Sequence, residues 1–235
     1  MVKKSKVHKV PFPKNYASEF LVFEKGEGVY LYDPTGKKYL DFGSGISVNA
    51  LGHGREDLAE VAYAQMKKVI HTSNLFTSEP SVFLAEKLVA LGNFDAVHFG
   101  NSGAEANEAA IKYARLYSLN RKGAGNHKIL ALESGFHGRT MGALSCTYNP
   151  AYKTPFEPLL PGVEFTPLND IKALESKLDS SFAGVIVEVL QGEGGLKMMS
   201  SDFAKALNTL CKKHDVILIA DEVQTGLGRT GWPFA

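Results

Sequence analysis

The chain is poor in cysteine: Cys146 and Cys211 are the only two among 235 residues. Two thiols so far apart in sequence support neither a disulfide framework nor a zinc cluster, and they fit a reducing, cytoplasmic compartment. An excess of one charge is also missing, because 26 Lys and Arg face 25 Asp and Glu, for a formal net charge of +1. Without a global field to gather nucleic acid or an anionic membrane, partners must be recognised locally. The one basic run, Lys3, Lys4, Lys6, His8 and Lys9, reads as a solvated, fraying end. Apolar runs such as Val216 to Ala220 have only the length of a strand, and the charged start leads into no signal segment. Export and membrane insertion are therefore not expected. The P-loop pattern G-x-x-x-x-G-K-[ST] is lacking as well, which leaves a magnesium nucleotidase only as a remote alternative.

What remains is an ordinary globular composition, with 44% hydrophobic and 22% charged residues. Two strand-like runs, Val29 to Tyr32 and Lys38 to Phe42, flank Asp33-Pro34-Thr35-Gly36, whose turn chemistry predicts a hairpin. Helical periodicity follows, first with Leu58, Val61, Ala62, Met66 and Val69, then with Phe83, Leu84, Leu88 and Leu91. From about Asp95 strands and helices alternate. Strands are predicted at Ala96 to Phe99, Lys128 to Leu132, Gly184 to Val189 and Val216 to Ala220, with helices near Glu105 to Tyr117, Asp170 to Leu178 and Asp202 to His214. That order predicts an α/β fold whose largely parallel sheet is covered by helices. The expected organisation is an N-terminal lobe with the hairpin over 1–55 and a large domain over 56–235.

Open sheets of this kind bind ligands at the carboxyl ends of their strands, so the residues there come first. After the first strand, Ser102, Gly103 and Ala104 open a helix, with Ala106, Ala109, Ala110, Tyr113, Ala114 and Tyr117 on one stripe and Glu108 and Lys112 spaced to pair. That start is either a phosphate cup or a plain turn capped by Ser102. After the second come Phe136, His137 and Arg139 between glycines. Phe136 has the face to stack on a flat ring or to fill a core, Arg139 the fork to hold a carboxylate or simply a place on the surface, and His137 a general-base or a structural role. After the third, Glu188 requires a partner if buried, while Glu193 in a glycine-rich loop is a gate or a solvated charge. After the fourth, Asp221 has three possible uses: to hold a cationic ring nitrogen, to bind magnesium or to cap the next segment.

These four stretches in this order resemble the class III (subgroup II) aminotransferases of the fold-type I pyridoxal-phosphate enzymes. Ser47 to His53 and Thr72 to Phe76 add to the likeness, which runs from about Gly26 onward. Within the family, Asn101 to Arg115 (NSGAEANEAAIKYAR), Phe136 to Cys146 (FHGRTMGALSC) and Pro155 to Val163 (PFEPLLPGV) look most like the acetylornithine and ornithine aminotransferase branch. Asn107-Glu108 departs from the glutamate-semialdehyde aminomutases. Val189 and Gly54-Arg55 depart from the wider family, which often has a proline and a second histidine in those places.

The resemblance implies pyridoxal 5′-phosphate as cofactor. Ser102, Gly103 and Ala104 would bind its phosphate, Phe136 would stack on its ring, Asp221 would pair with the ring nitrogen and Gln224 would contact its phenolic oxygen. Arg139 would hold the substrate α-carboxylate, Glu193 would help select between amino donor and 2-oxoglutarate, and Tyr16 would border the substrate pocket. Asp221, with Glu188 in support, fills the catalytic positions. The Schiff-base lysine would lie roughly thirty residues beyond Asp221 in the family, so the chain is read as cut short, its sheet open-edged. The implied reaction passes an ω-amino group from N-acetylornithine or ornithine to 2-oxoglutarate in a homodimer. A non-catalytic cofactor-binding remnant or interaction module is the alternative.

Overall fold

The computed structural model describes residues 21–92 and 94–235. They fall into two compact units, one ending at Val82 and the other beginning at Phe83. The 55/56 boundary drawn from sequence lies inside the first unit.

In the first unit β1 (Lys25–Glu27), β2 (Tyr30–Tyr32) and β3 (Lys38–Leu40) form an antiparallel sheet in that order. The predicted hairpin is β2–β3, and its turn is held by Asp33. One carboxylate oxygen, Oδ1, accepts from the Thr35 N–H at 2.9 Å, the Thr35 hydroxyl at 2.6 Å and the Lys37 N–H at 3.0 Å. Gly36 closes the turn with φ +82°, where a side chain would be strained. The three-residue β1 is too short to show alternation and was not predicted. A four-residue segment, α1 (Ser44–Ser47), contains left-handed Gly45 and Ile46, so it is a tight turn rather than a right-handed helix. Next comes α2 (Glu56–Met66), and α3 (Glu79–Gly92) starts in this unit and continues into the second, both where the 3.6-residue period places them. Their apolar stripes do not form a core, however. No residue of either helix is buried among the described residues, and Val61 stands 68% exposed.

The second unit is a layered α/β structure. Its elements are α4 (Gly103–Lys122), β4 (Lys128–Leu132), α5 (Met141–Cys146), α6 (Pro150–Lys153), β5 (Val163–Thr166), α7 (Ile171–Lys177), β6 (Phe182–Val187), β7 (Leu190–Gln191), β8 (Lys197–Met198), α8 (Ser201–His214) and β9 (Ile217–Ala220). The main sheet runs β5-β4-β6-β9 and every pairing in it is parallel. Strand side chains alternate faces, and the core divides accordingly. Leu130, Leu132, Val185 and Val187 pack with Leu174 of α7 and with Phe203, Leu207 and Cys211 of α8. Their neighbours Ile129, Ala131 and Ile186 pack with Ile111 and Ala114 of α4 and Cys146 of α5. Gly184 permits the close approach of α4, since a Cβ there would lie 3.1 Å from that of Ala114.

Three expectations fail here. Ala96 to Phe99 forms no strand, because it has no ladder partner among the described residues, and a strand exists only through its neighbours. On α4 the buried stripe is Asn107, Ile111, Ala114 and Ser118, rotated from the predicted Ala106–Tyr117 stripe. Tyr113 on the predicted stripe is exposed. The predicted Glu108–Lys112 pair is also absent: Glu108 Oε1 instead accepts from the backbone N–H groups of Gly142 at 2.8 Å and Ala143 at 3.2 Å, capping α5 from a distance. The strand β5, flanked by prolines and glycines, was missed. Among the described residues no helix is long and apolar enough to cross a membrane.

Both thiols lie inside these cores. Burial raises the pKa of Cys146 to about 12 and that of Cys211 to about 11. Because the thiolate is the reactive form, a chromogenic disulfide reagent at pH 8 should titrate neither cysteine in the native chain and both after denaturation. Rapid labelling of either native thiol would contradict this packing.

Candidate active site

In the main sheet the chain leaves β4 for β5 on one side, then crosses to β6 on the other. The topological switch therefore lies between β4 and β6, where open α/β sheets form their ligand crevice. The loops after these two strands meet there. Glu188, just beyond β6 and 4% exposed, accepts a hydrogen bond from the Phe136 N–H at 2.9 Å. This is the partner that a buried carboxylate requires. Desolvation nevertheless raises its pKa above the ordinary carboxylate value, with the Phe136 N–H acting against the shift.

Asp221, one strand further on, follows β9 and is buried. Its Oδ2 accepts from Asn107 Nδ2 at 2.8 Å and from His137 Nδ1 at 2.7 Å, and its Oδ1 accepts from the Val223 N–H at 3.1 Å. Asn107 also donates to the His137 carbonyl at 2.7 Å, and the His137 N–H donates to Thr147 Oγ1 at 2.9 Å. Facing a carboxylate, Nδ1 must carry the imidazole proton. Nε2 is buried without a partner among the described residues. Asp221 is thus held by a side-chain amide, an imidazole and a backbone N–H, with no lysine or arginine within ion-pair distance among the described residues. Such a carboxylate is costly to bury and is poised for an external cation.

The start of α4 borders the same site. Ser102 is its N-cap, with Oγ accepting from the Glu105 N–H at 3.2 Å. The amides of Gly103 and Ala104 find no protein acceptor among the described residues, leaving two donors at the positive end of a 20-residue helix. Capping by Ser102 and an anion cup are therefore compatible. Gly103 also packs against Val223, whose methyl carbon would lie 2.7 Å from an added Cβ. The Gln224 amide lies directly over Gly192, in a space that any Cβ would fill. This contact ties the loop after β9 to the β7–β8 hairpin.

Phe136 borders a cavity of about 320 Å³, shared with Thr147, Tyr148, Tyr152, Glu193 and Gly194. Glu193 is exposed at its rim. Arg139 is exposed too, and its guanidinium lies over the Tyr152 ring, 3.7 Å from the centroid. The structure thus gathers Ser102, Gly103, Ala104, Phe136, Glu188, Asp221 and Gln224 around the strand ends, with Arg139 and Glu193 beside the cavity. Tyr16 lies outside the described residues. Sequence reasoning missed Asn107, Thr147, Val223 and Tyr152. Asn107 left one legible signal, a polar residue at i, i+4 and i+7 spacing from Ile111 and Ala114. The others are joined to the site only by the fold.

Residues 12–235 match the model of the aminotransferase class-III family. The chain belongs to that family. Its second unit is part of a fold-type I pyridoxal-phosphate transferase domain, and pyridoxal 5′-phosphate is the family's cofactor. It is 50% identical over 218 residues to the acetylornithine aminotransferase of Aquifex aeolicus, covering 92% of this chain and 58% of that protein. It is 47% identical over 213 residues to a probable mitochondrial acetylornithine aminotransferase of Dictyostelium discoideum, covering 90% and 47% respectively. Among solved structures, the ornithine aminotransferase of Toxoplasma gondii ME49 superposes with a TM-score of 0.87 at 32% identity, covering 94% of this chain and 53% of the other. A PLP-bound amine transaminase from an uncultivated Pseudomonas species gives 0.88 at 28% identity, covering 98% and 59%. The chain spans about half the length of the curated relatives it matches.

Proposed function

We propose that this class-III chain serves a pyridoxal-phosphate-dependent transfer of an ω-amino group from N-acetylornithine or ornithine to 2-oxoglutarate. The observation that carries the reading is Asp221, a buried carboxylate with no lysine or arginine within ion-pair distance among the described residues. Its negative charge suits a protonated ring nitrogen. The free amides of Gly103 and Ala104 suit the phosphate of the same molecule.

When bound, pyridoxal phosphate supplies an electron sink for breaking the C–H bond beside the transferred nitrogen. The chain's own residues hold and orient it. Asp221 would keep the ring nitrogen protonated, Ser102, Gly103 and Ala104 would hold the phosphate, Phe136 would stack on the ring, and Gln224 would contact the phenolic oxygen. Glu188 fixes the Phe136 backbone. Arg139 takes the substrate α-carboxylate, and Glu193, across the cavity, distinguishes amino donor from 2-oxoglutarate. Tyr16 borders the substrate pocket in this reading. The Schiff-base lysine is not assigned to any residue here.

Acetylornithine aminotransferases among the relatives support the donor class. Exposed apolar side chains in the first unit, including Phe42 at 92%, support a homodimer, and two buried free thiols fit the cytoplasm. Pyridoxal phosphate added to the purified protein should bind saturably at one site per chain, measured by equilibrium dialysis. With N-acetylornithine and 2-oxoglutarate, a loaded protein that also carries the Schiff-base lysine should release glutamate. Absence of saturable binding would sink the cofactor assignment, whereas binding without glutamate would point to the non-catalytic reading.

A further inference from the structure

The cavity beside Phe136 has an aromatic wall to which the family likeness gives no task. Tyr152 sits on α6, a short helix fixed at both ends. Asn149 caps it by accepting from the Ala151 N–H at 3.0 Å, Pro150 presets its first turn, and Lys153 Nζ donates to the Ser145 carbonyl at 2.9 Å. The Tyr152 ring meets that of Phe136 edge to face, with centroids 6.4 Å apart and planes at 89°. The Arg139 guanidinium lies 3.7 Å from the Tyr152 centroid and 5.7 Å from that of Phe136.

A guanidinium stacked on a ring face keeps its five N–H donors in its own plane, pointing away from the ring. No carboxylate lies within ion-pair distance of Arg139 among the described residues, so stacking orients the fork without using it. An exposed arginine on a flexible stem otherwise loses considerable side-chain entropy on clasping a ligand, and a stacked one has already lost part of it. We infer that Tyr152 is a positioning residue that holds Arg139 ready for the substrate carboxylate and aligns it with Phe136, the residue set against the cofactor ring. This rests on the proposal above that Arg139 is the carboxylate ligand.

The test uses the protein loaded with pyridoxal phosphate and titrated with glutarate, a dicarboxylate that carries no amino group. Tyr152→Leu should weaken glutarate binding about three- to thirtyfold, the range of a cation–π contact from exposed to desolvated settings. Tyr152→Phe, which keeps the ring, should stay within twofold of wild type. Pyridoxal phosphate affinity should be unchanged in both, which shows that the site is folded. In turnover, Tyr152→Leu should raise KM for the amino-acid donor far more than it lowers kcat, and should leave KM for a carboxylate-free amine unaltered. Unchanged glutarate binding in Tyr152→Leu overturns the inference, as does equal weakening in Tyr152→Phe, which would assign the effect to the hydroxyl. Arg139→Gln separates the two levels. If it binds glutarate as wild type does, Arg139 is not the carboxylate ligand, and the reading beneath the inference falls with it.

Discussion

Asp221→Asn should weaken pyridoxal phosphate binding by a factor on the order of 10² to 10⁴, the equivalent of about 3–5 kcal/mol for removing one partner of a buried ion pair. The substitution keeps size and shape and removes only the charge. In the unliganded chain Oδ2 already receives two donors, from Asn107 and His137, so an asparagine would keep its carbonyl oxygen there. Its amide would then replace Oδ1 and face the Val223 N–H, the longest of the three hydrogen bonds at 3.1 Å. Losing that bond costs about 1 kcal/mol, and removing a buried charge acts in the opposite direction. Unfolding free energy without cofactor should therefore change little while affinity collapses. A carboxylate that served only to cap the segment after β9 would give the reverse pattern. Equilibrium dialysis and a urea titration on the same preparation decide between them, and an affinity within threefold of wild type would refute the ring-nitrogen role.

Phe203→Ala should cost about 3–5 kcal/mol of stability, because a fully buried aromatic side chain is replaced by a cavity that its surroundings only partly fill. Phe203 begins the buried stripe of α8, followed by Leu207 and Cys211 at helical spacing. The Ser200 hydroxyl, accepting from the Phe203 N–H at 3.2 Å, fixes the start of that helix. The ring packs in the cluster that includes Leu130, Leu132, Val185 and Val187 from the central strands β4 and β6. These strands carry the loops of Phe136 and Glu188, so the loss should appear first as a lower urea midpoint and a fall in melting temperature of roughly 10 °C. A loss below about 1 kcal/mol would mean that α8 is not seated on this face as described.

Legibility differed from element to element for physical reasons. Strand β4, helix α8 and the β2–β3 turn could be read because their signals are local: an apolar run of strand length, a 3.6-residue stripe behind a serine cap, and an aspartate two residues before its first amide donor. Ala96 to Phe99 has the same apolar character but no ladder, since strand formation depends on a neighbour supplied from elsewhere. The stripe on α4 was misplaced for a related reason. Periodicity counts apolar residues, whereas the face actually buried includes Asn107, whose amide is satisfied only by Asp221 and the His137 carbonyl far along the chain.

The sequence by itself determined strands β4, β6 and β9, helices α4, α7 and α8, the residues that follow those strands, and hence the family likeness, because these depend on local spacing and residue type. It also determined that Glu188 must find a partner, since no carboxylate is buried cheaply alone. Only the tertiary structure decided that the partner is the Phe136 amide, that Asp221 is bound through Asn107 and His137, and that Arg139 rests on Tyr152. Each of these is a contact between segments brought together by parallel strand pairing and helix packing. Such contacts leave no periodic trace in the residues that make them.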